Sequence, residues 1–339
     1  MKVDITADAD PRTFVARARE AEADGYDGLW LGETAHDPLT GCALAGQATS
    51  RISVGTGIAV AFARSPMTLA VTANDLQLTT EGRFLLGLGS QVKAHITRRF
   101  SMPWSHPGPR MREFVLAMRA IWRSWQDGQP LNFTGEFYSH TLMTPFFDPG
   151  PNPYGPPRVF LAGVGDVMTR VAGEVADGFL CHGFTTERYL RDVTLPALAQ
   201  GRQAAGLSMD GYEISGLPFV VTGTSDEEME RSALGVREQI AFYASTPAYR
   251  PVLDAHGWGG LQEELTPMSK AGRWTEMREL IDDDILDAFA IVAAPGQVAA
   301  AIGKRYGDLF TRLHLYLKAP LPKDVELSIA DELRRQPSR

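Results

Sequence analysis

The chain has 339 residues, 44% of them hydrophobic and 22% charged, the make-up of an ordinary globular protein. Its 33 basic against 41 acidic side chains leave a net charge of -8, which argues against nucleic acid as the main partner. Two cysteines, Cys42 and Cys181, exclude a disulfide framework, and no apolar run reaches the ~18 residues of a membrane span. Lys2 and Asp4 stand where the apolar core of a secretory leader would sit, so a soluble, cytoplasmic protein with no membrane partner is expected.

In chain order, residues 2–6 alternate apolar and polar side chains as a strand does. Asp10-Pro11 then reads as a helix start, with Phe14, Ala18 and Ala21 at helical spacing and Gly25 as the stop. Residues 28–33 (GLWLGE), 52–60 (ISVGTGIAV) and 84–90 (FLLGLGS) read as strands, with a helix from Ser65-Pro66 to Gly82 between the last two. Met111, Phe114, Val115, Met118, Ile121, Trp122 and Trp125 form one apolar stripe at spacings of three and four, the clearest helix in the chain. After a proline-rich stretch, 145–157, strands are expected at 159–163, 179–182, 212–221 and 312–318. Helices are expected at 166–176 and 186–205, and after Ser225-Asp226-Glu227. Residues 245–287 are helix-rich and exceed what one connection needs.

Eight strand–helix units are countable, and such alternation demands a parallel sheet, doubly wound or closed into a barrel. Three G-x-G units fall at strand ends: Gly55/Gly57, Gly87/Gly89 and Gly163/Gly165. None completes G-x-G-x-x-G, because Val60, Val92 and Met168 hold the last position, so a dinucleotide-binding fold is not indicated. Gly163-Val164-Gly165-Asp166-Val167 runs from strand through turn to helix start. It reads either as a phosphate site of free backbone N–H groups or as a plain turn with Asp166 as its own cap. The segment 93–112 carries Lys93, Arg98, Arg99, Arg110 and Arg112 and no acid, which fits an anion site or a solvated basic loop. Cys181 and His182, adjacent on an expected strand, should face opposite ways, and no metal motif appears. Glu33, Thr34, His36 and Asp37 cluster just past an apolar strand, where polar groups suit catalysis better than packing.

Taken together, "ARAREAEADGYDGLWLGETAHDP", "RISVGTGIAVAFARSPMTLAVTANDLQLTTEGRFLLGLGSQ" and "VFLAGVGDVMTRVAGEVADGF" resemble the luciferase-like monooxygenase superfamily. Within it they resemble the branch that depends on the deazaflavin coenzyme F420. The likeness runs over nearly the whole chain. It implies a single TIM-barrel domain over residues 1–339, with the 245–287 insertion over the mouth, and a homodimer. It also implies a non-prolyl cis peptide at Gly57-Ile58 against the cofactor ring, and a cofactor phosphate on the backbone of Gly163 to Val167. Glu33 and His95 match positions that contact the deazaflavin. Sugar-phosphate dehydrogenases of this branch place a histidine and a glutamate where this chain has Thr34 and Val92, so their acid–base pair is missing here. The basic 93–112 segment suits the polyanionic tail of F420 and favours it over FMN. The expected reaction is hydride transfer to or from a small, fairly apolar substrate, with His36 or Thr34 near the reacting atoms and Glu33 or His95 as further proton carriers. An FMN-dependent monooxygenase is the alternative. Trp104, Phe242 and Tyr243 are candidate pocket walls, and Trp258 and Trp274 candidate anchors of a lid. Removing that lid is expected to leave a folded barrel with poor turnover.

Overall fold

The structure, a computed structural model, describes residues 1–7 and 10–336. Eight parallel strands form its centre: β1 (Lys2–Ala7), β2 (Gly28–Leu31), β3 (Ser53–Thr56), β4 (Phe84–Gly89), β5 (Arg158–Ala162), β6 (Gly178–Leu180), β7 (Glu213–Gly216) and β8 (Arg312–His314). They run in the order β3-β2-β1-β8-β7-β6-β5-β4, and β3 also pairs with β4, so the sheet closes into a TIM barrel as expected. Helices on the outside bury their apolar faces against it. In the helix Pro107–Asp127 every residue of the stripe from Met111 to Trp125 is buried. Two short starts are encoded locally: Asp37 and Ser65 each accept a backbone N–H from the first turn of helices Pro38–Ala48 and Pro66–Thr79, and proline follows each cap.

The inside of the barrel has two characters. At the N-terminal end it is ionic. The Arg312 guanidinium donates to both carboxylate oxygens of Asp4, Nε to Oδ2 at 2.7 Å and Nη2 to Oδ1 at 2.9 Å, and Trp30 Nε1 donates to Oδ2 at 2.8 Å. Arg312 Nη1, Arg158 Nη1 and Lys2 Nζ all reach Glu213 within 2.9 Å. Gly28 makes room for this, since a Cβ there would lie 2.6 Å from Asp4 Oδ1. Above the ions, Trp30, Leu85, Phe160 and Leu180 close the axis with an apolar layer.

Three elements differ from expectation. The first helix begins at Phe14, because the Asp10 carboxylate is taken by the Arg12 backbone N–H and guanidinium. The expected 186–205 helix is broken: Glu187–Tyr189 passes through a wide turn into Leu195–Ala204, where Pro196 has no N–H to continue the ladder. The expected 212–221 strand is two strands. The first is β7; the second, Phe219–Val221, leaves the barrel and pairs in parallel with Ala290–Val292. Between these partners lie the helix Asp226–Ala244 and the helices Arg250–Asp254, Gly259–Lys270, Trp274–Glu279 and Asp283–Phe289. Val236 and Ile240 of the first pack in one core with Leu265, Met277 and Phe289 of the others. The added unit therefore begins well before residue 245. Cutting out 245–287 would strip the apolar face of Asp226–Ala244, so that truncation does not cleanly remove a lid.

Candidate functional site

The strand C-termini form the open end, and the apolar layer is its floor. Ile58 and Ala162 pack onto that layer, and Trp30 meets Phe160 edge-on with centroids 5.5 Å apart. The Gly57-Ile58 peptide is cis, at the position the resemblance implied, and interrupts the edge of the barrel. Beyond it Ala59–Val60 resumes pairing with β4.

On the β2–β4 side most charges are already engaged. Glu33 Oε2 accepts from Val60 N and from Arg64 Nη1, both at 2.7 Å, and the Glu33 side chain is only 7% exposed. Among the described residues its Oε1 makes no hydrogen bond, so one oxygen remains for a ligand. Glu33 N donates to Ile58 O at 3.1 Å, which ties the acid to the cis peptide. Asp37 caps its helix and pairs with Arg64 Nη2 at 3.0 Å. Thr34 and His36 are exposed; Thr34 accepts from Arg99 Nη2 through its backbone oxygen. His95 is exposed in a wide turn after β4, and the Arg99 contact brings that turn onto Thr34. The basic segment is less available than its composition suggested. Arg110 is buried, donating to Tyr138 Oη and Pro103 O and lying over the Phe62 ring, and Arg112 pairs with Glu174. Lys93 and Arg98 are exposed and engage no side chain among the described residues. Trp104 packs edge-on against Phe62.

On the β5–β6 side the mouth is enclosed. Gly165, at a φ of +80° that disfavours side chains, turns the chain from β5 into the helix Asp166–Val175, and Asp166 pairs with Arg170. Gly163, Val164 and Gly165 border a cavity whose other walls include Cys181, His182, Phe184, Thr185, Thr194 and Tyr249. Val164 and Val167 are exposed apolar side chains beside this turn, and Val92 is another after β4. Cys181 and His182 lie past the end of β6, so the strand alternation that should have set them apart does not apply; both line the one cavity. Burial pushes the His182 pKa down to about 4 and the Cys181 thiol well above its ordinary value. Tyr243 stands edge-on to His182 with centroids 4.6 Å apart, while the neighbouring Phe242 is half exposed against Trp274. Trp258 stacks on His256, whose Nε2 lies 2.8 Å from Thr186 Oγ1, so this tryptophan does pin the added helices down.

The site residues named from sequence thus fall into two groups. Glu33, Thr34, Gly57, Ile58 and the His95 turn are linked by direct contacts, and Gly163 to Val167 form the opposite wall. Among the described residues exposed His36 makes no hydrogen bond or ring contact with either group. Sequence reading missed Arg64, which a single acid–base pairing across ~30 residues does not betray, and Tyr249.

A closed parallel barrel with a cavity and an acid with one uncommitted oxygen at the strand C-termini has the layout of a (β/α)8 enzyme. The chain matches the model of the family described as luciferase-like monooxygenase over residues 2–312, and it belongs to that family. An uncharacterized protein of Mycobacterium tuberculosis is 51% identical over 321 residues, 94% of either chain. An F420-dependent glucose-6-phosphate dehydrogenase of Gordonia bronchialis is 27% identical, over 96% of this chain and 94% of that one. Two solved structures share the fold. One is the coenzyme F420-dependent tetrahydromethanopterin reductase of Methanopyrus kandleri (TM-score 0.79, 20% identity, 98% of both chains). The other is the oxygenating constituent of 3,6-diketocamphane monooxygenase of Pseudomonas putida in complex with FMN (TM-score 0.68, 18% identity, 100% of both chains). Related proteins therefore use F420 or FMN. Among the described residues no helix is long and apolar enough to cross a membrane.

Proposed function

We propose that the chain is an F420-dependent oxidoreductase acting on a small, fairly apolar organic substrate. The observation that carries this reading is the asymmetry of the mouth. An apolar floor with Ile58 on it lies beside exposed Val92, Val164 and Val167, and beyond these lie the amide-rich start of the helix Asp166–Val175 and the uncommitted cations Lys93 and Arg98. Exposed apolar groups suit a ring that would cover them, and donors and cations suit an anionic tail. The residues present fit such a group. Ile58, Glu33 and His95 would hold the ring, and the backbone of Gly163 to Val167 its phosphate. When bound, the deazaflavin supplies two-electron hydride chemistry.

The chain's own residues do the rest. Glu33 is fixed in place by Arg64 and Val60 N, so its other oxygen is positioned to accept a hydrogen bond from a ligand. Thr34 and His36 are exposed on the side we assign to the substrate, where the Thr34 hydroxyl and the His36 ring can each hydrogen-bond a substrate polar group. The absence of the sugar-phosphate dehydrogenases' acid–base pair, with Thr34 and Val92 in its place, argues against a sugar-phosphate alcohol as substrate. The added helices exclude water from the β5–β6 side.

We further propose a homodimer. The helix Pro38–Ala48 carries no charge and Pro66–Thr79 only Asp75, yet Leu44, Val71 and Leu78 on them are exposed. Faces of that kind favour a second copy of the chain. Sedimentation analysis of Leu44→Glu with Val71→Glu should return a monomer.

Fluorescence titration of the purified protein with F420 and with FMN tests the cofactor reading. Submicromolar F420 binding is expected. Submicromolar FMN binding without F420 binding would overturn it in favour of the monooxygenase reading, which the fold shared with the FMN-bound Pseudomonas protein supports.

A further inference from the structure

His182 and Tyr249 form a couple that none of the site residues above explains. Tyr249 comes from the short turn Pro247–Tyr249 that leads into the added helices. His182 follows β6 in the barrel. The tautomer of His182 is fixed by its neighbours. The Phe184 backbone N–H has only a proton to give, and it lies 3.0 Å from Nδ1, so Nδ1 accepts. The proton of the neutral ring therefore sits on Nε2, which donates to Tyr249 Oη at 3.1 Å. Tyr249 Oη accepts from the barrel and keeps its own proton, for which the described residues supply no acceptor. The Tyr243 ring holds both partners, with centroids 4.6 Å from His182 and 5.6 Å from Tyr249, and the Phe184 ring packs on Tyr249 at 5.4 Å. Both members line the cavity that Gly163, Val164 and Gly165 border, and among the described residues no carboxylate, lysine or arginine lines it. The wall thus offers a spare O–H beside free backbone N–H groups and no competing anion.

We propose that Tyr249, aimed by His182, donates a hydrogen bond to the phosphate of the cofactor tail, so that the added helices grip the cofactor itself and do not merely roof the substrate. Tyr249 is then a binding residue and His182 a positioning residue. This rests on a phosphate-bearing ring cofactor, as proposed above, but not on which ring it is. A tyrosine donor suits a phosphodiester or phosphomonoester oxygen, because a hydrogen bond to a charged acceptor is stronger than one between neutral groups. The neutral state of both partners persists through the physiological range. Burial holds the His182 pKa near 4 and raises that of Tyr249 to about 12.

The test uses the full chain and four ligands in two pairs: F420 and its tail-free ribityl deazaflavin, and FMN and riboflavin. Dissociation constants are measured for wild type, Tyr249→Phe and His182→Gln, with thermal melting to check each fold. Tyr249→Phe keeps the ring packing and removes only the hydroxyl. It is expected to weaken the phosphate-bearing ligand on the order of 10-fold while leaving its tail-free partner unchanged. His182→Gln should show a smaller loss with the same selectivity for the tail. Equal affinities for wild type and Tyr249→Phe, or equal losses for tailed and tail-free ligands, would overturn the proposal. If the wild type binds neither deazaflavin, the F420 reading fails and the FMN–riboflavin pair decides the role of Tyr249. A wild type that binds none of the four overturns both.

Discussion

The two ends of this barrel handle polar groups in opposite ways. At the N-terminal end, Asp4, Glu213, Arg312, Arg158 and Lys2 satisfy one another, and Trp30 takes a remaining carboxylate lone pair. At the C-terminal end the polar groups are only half engaged. Among the described residues Glu33 has one oxygen held and one free, Tyr249 accepts and has no acceptor for its own proton, and exposed Lys93 and Arg98 have no side-chain partners. Saturated polar networks fix a structure; half-satisfied ones hold a place for something else. The same chain builds both from similar residue types, so residue type alone does not separate stability from function. The number of partners already present does.

The comparison is broken most forcefully at the saturated end. Arg312→Met leaves Asp4 buried without its cation, and should cost about 3–5 kcal/mol in urea denaturation, enough to threaten the fold. A loss under 1 kcal/mol would mean that the network is dispensable. Acid titration sharpens the contrast next. Burial pushes His314 and His182 down to about 4, with the Asp4 charge pulling His314 partly back. The unfolded chain, with ordinary histidines near ~6.5, then binds protons first, so stability falls as pH drops from about 6.5 to 4. Glu213 behaves differently. Burial raises its pKa, but hydrogen bonds from Lys2 and Arg158 and the charges of Arg312 and Arg158 outweigh it and hold the carboxyl at about 2. Its contribution is complete above the ordinary carboxylate value and is lost as pH falls toward 2. Urea midpoints at pH 7, 5 and 3 should therefore decline in two stages, the first reduced in His182→Gln. A flat profile between pH 7 and 5 would refute the histidine stage. The smallest effect belongs to the open end: Thr34→Ala and His36→Ala, both exposed, should change stability by less than ~0.5 kcal/mol. Any large change in turnover in those variants then reports on substrate contact alone.

Much of the fold was legible because its signals are local. The stripe from Met111 to Trp125, the Ser225 cap and the glycine turn at Gly165 each lie within a few residues of one another. The cis Gly57-Ile58 bond followed from the family likeness. The misreadings concern partners far apart in sequence. Arg110 and Arg112 looked available as an anion site because Tyr138 and Glu174, which occupy them, lie 28 and 62 residues away. The ionic base joins Lys2 and Asp4 to Glu213 and Arg312 across most of the chain, through closure of the barrel. Tyr249 meets His182 across 67 residues, and only the tertiary fold gives it a role.

The parallel pairing of Phe219–Val221 with Ala290–Val292 has a further consequence. The chain departs for the added helices and returns from them at one spot, side by side, with a separate hydrophobic core lying between departure and return. A segment so anchored behaves like a cassette. Relatives could exchange, lengthen or reshape it at these two seams while the eight barrel strands stay in register, because the ends that must be rejoined are already neighbours.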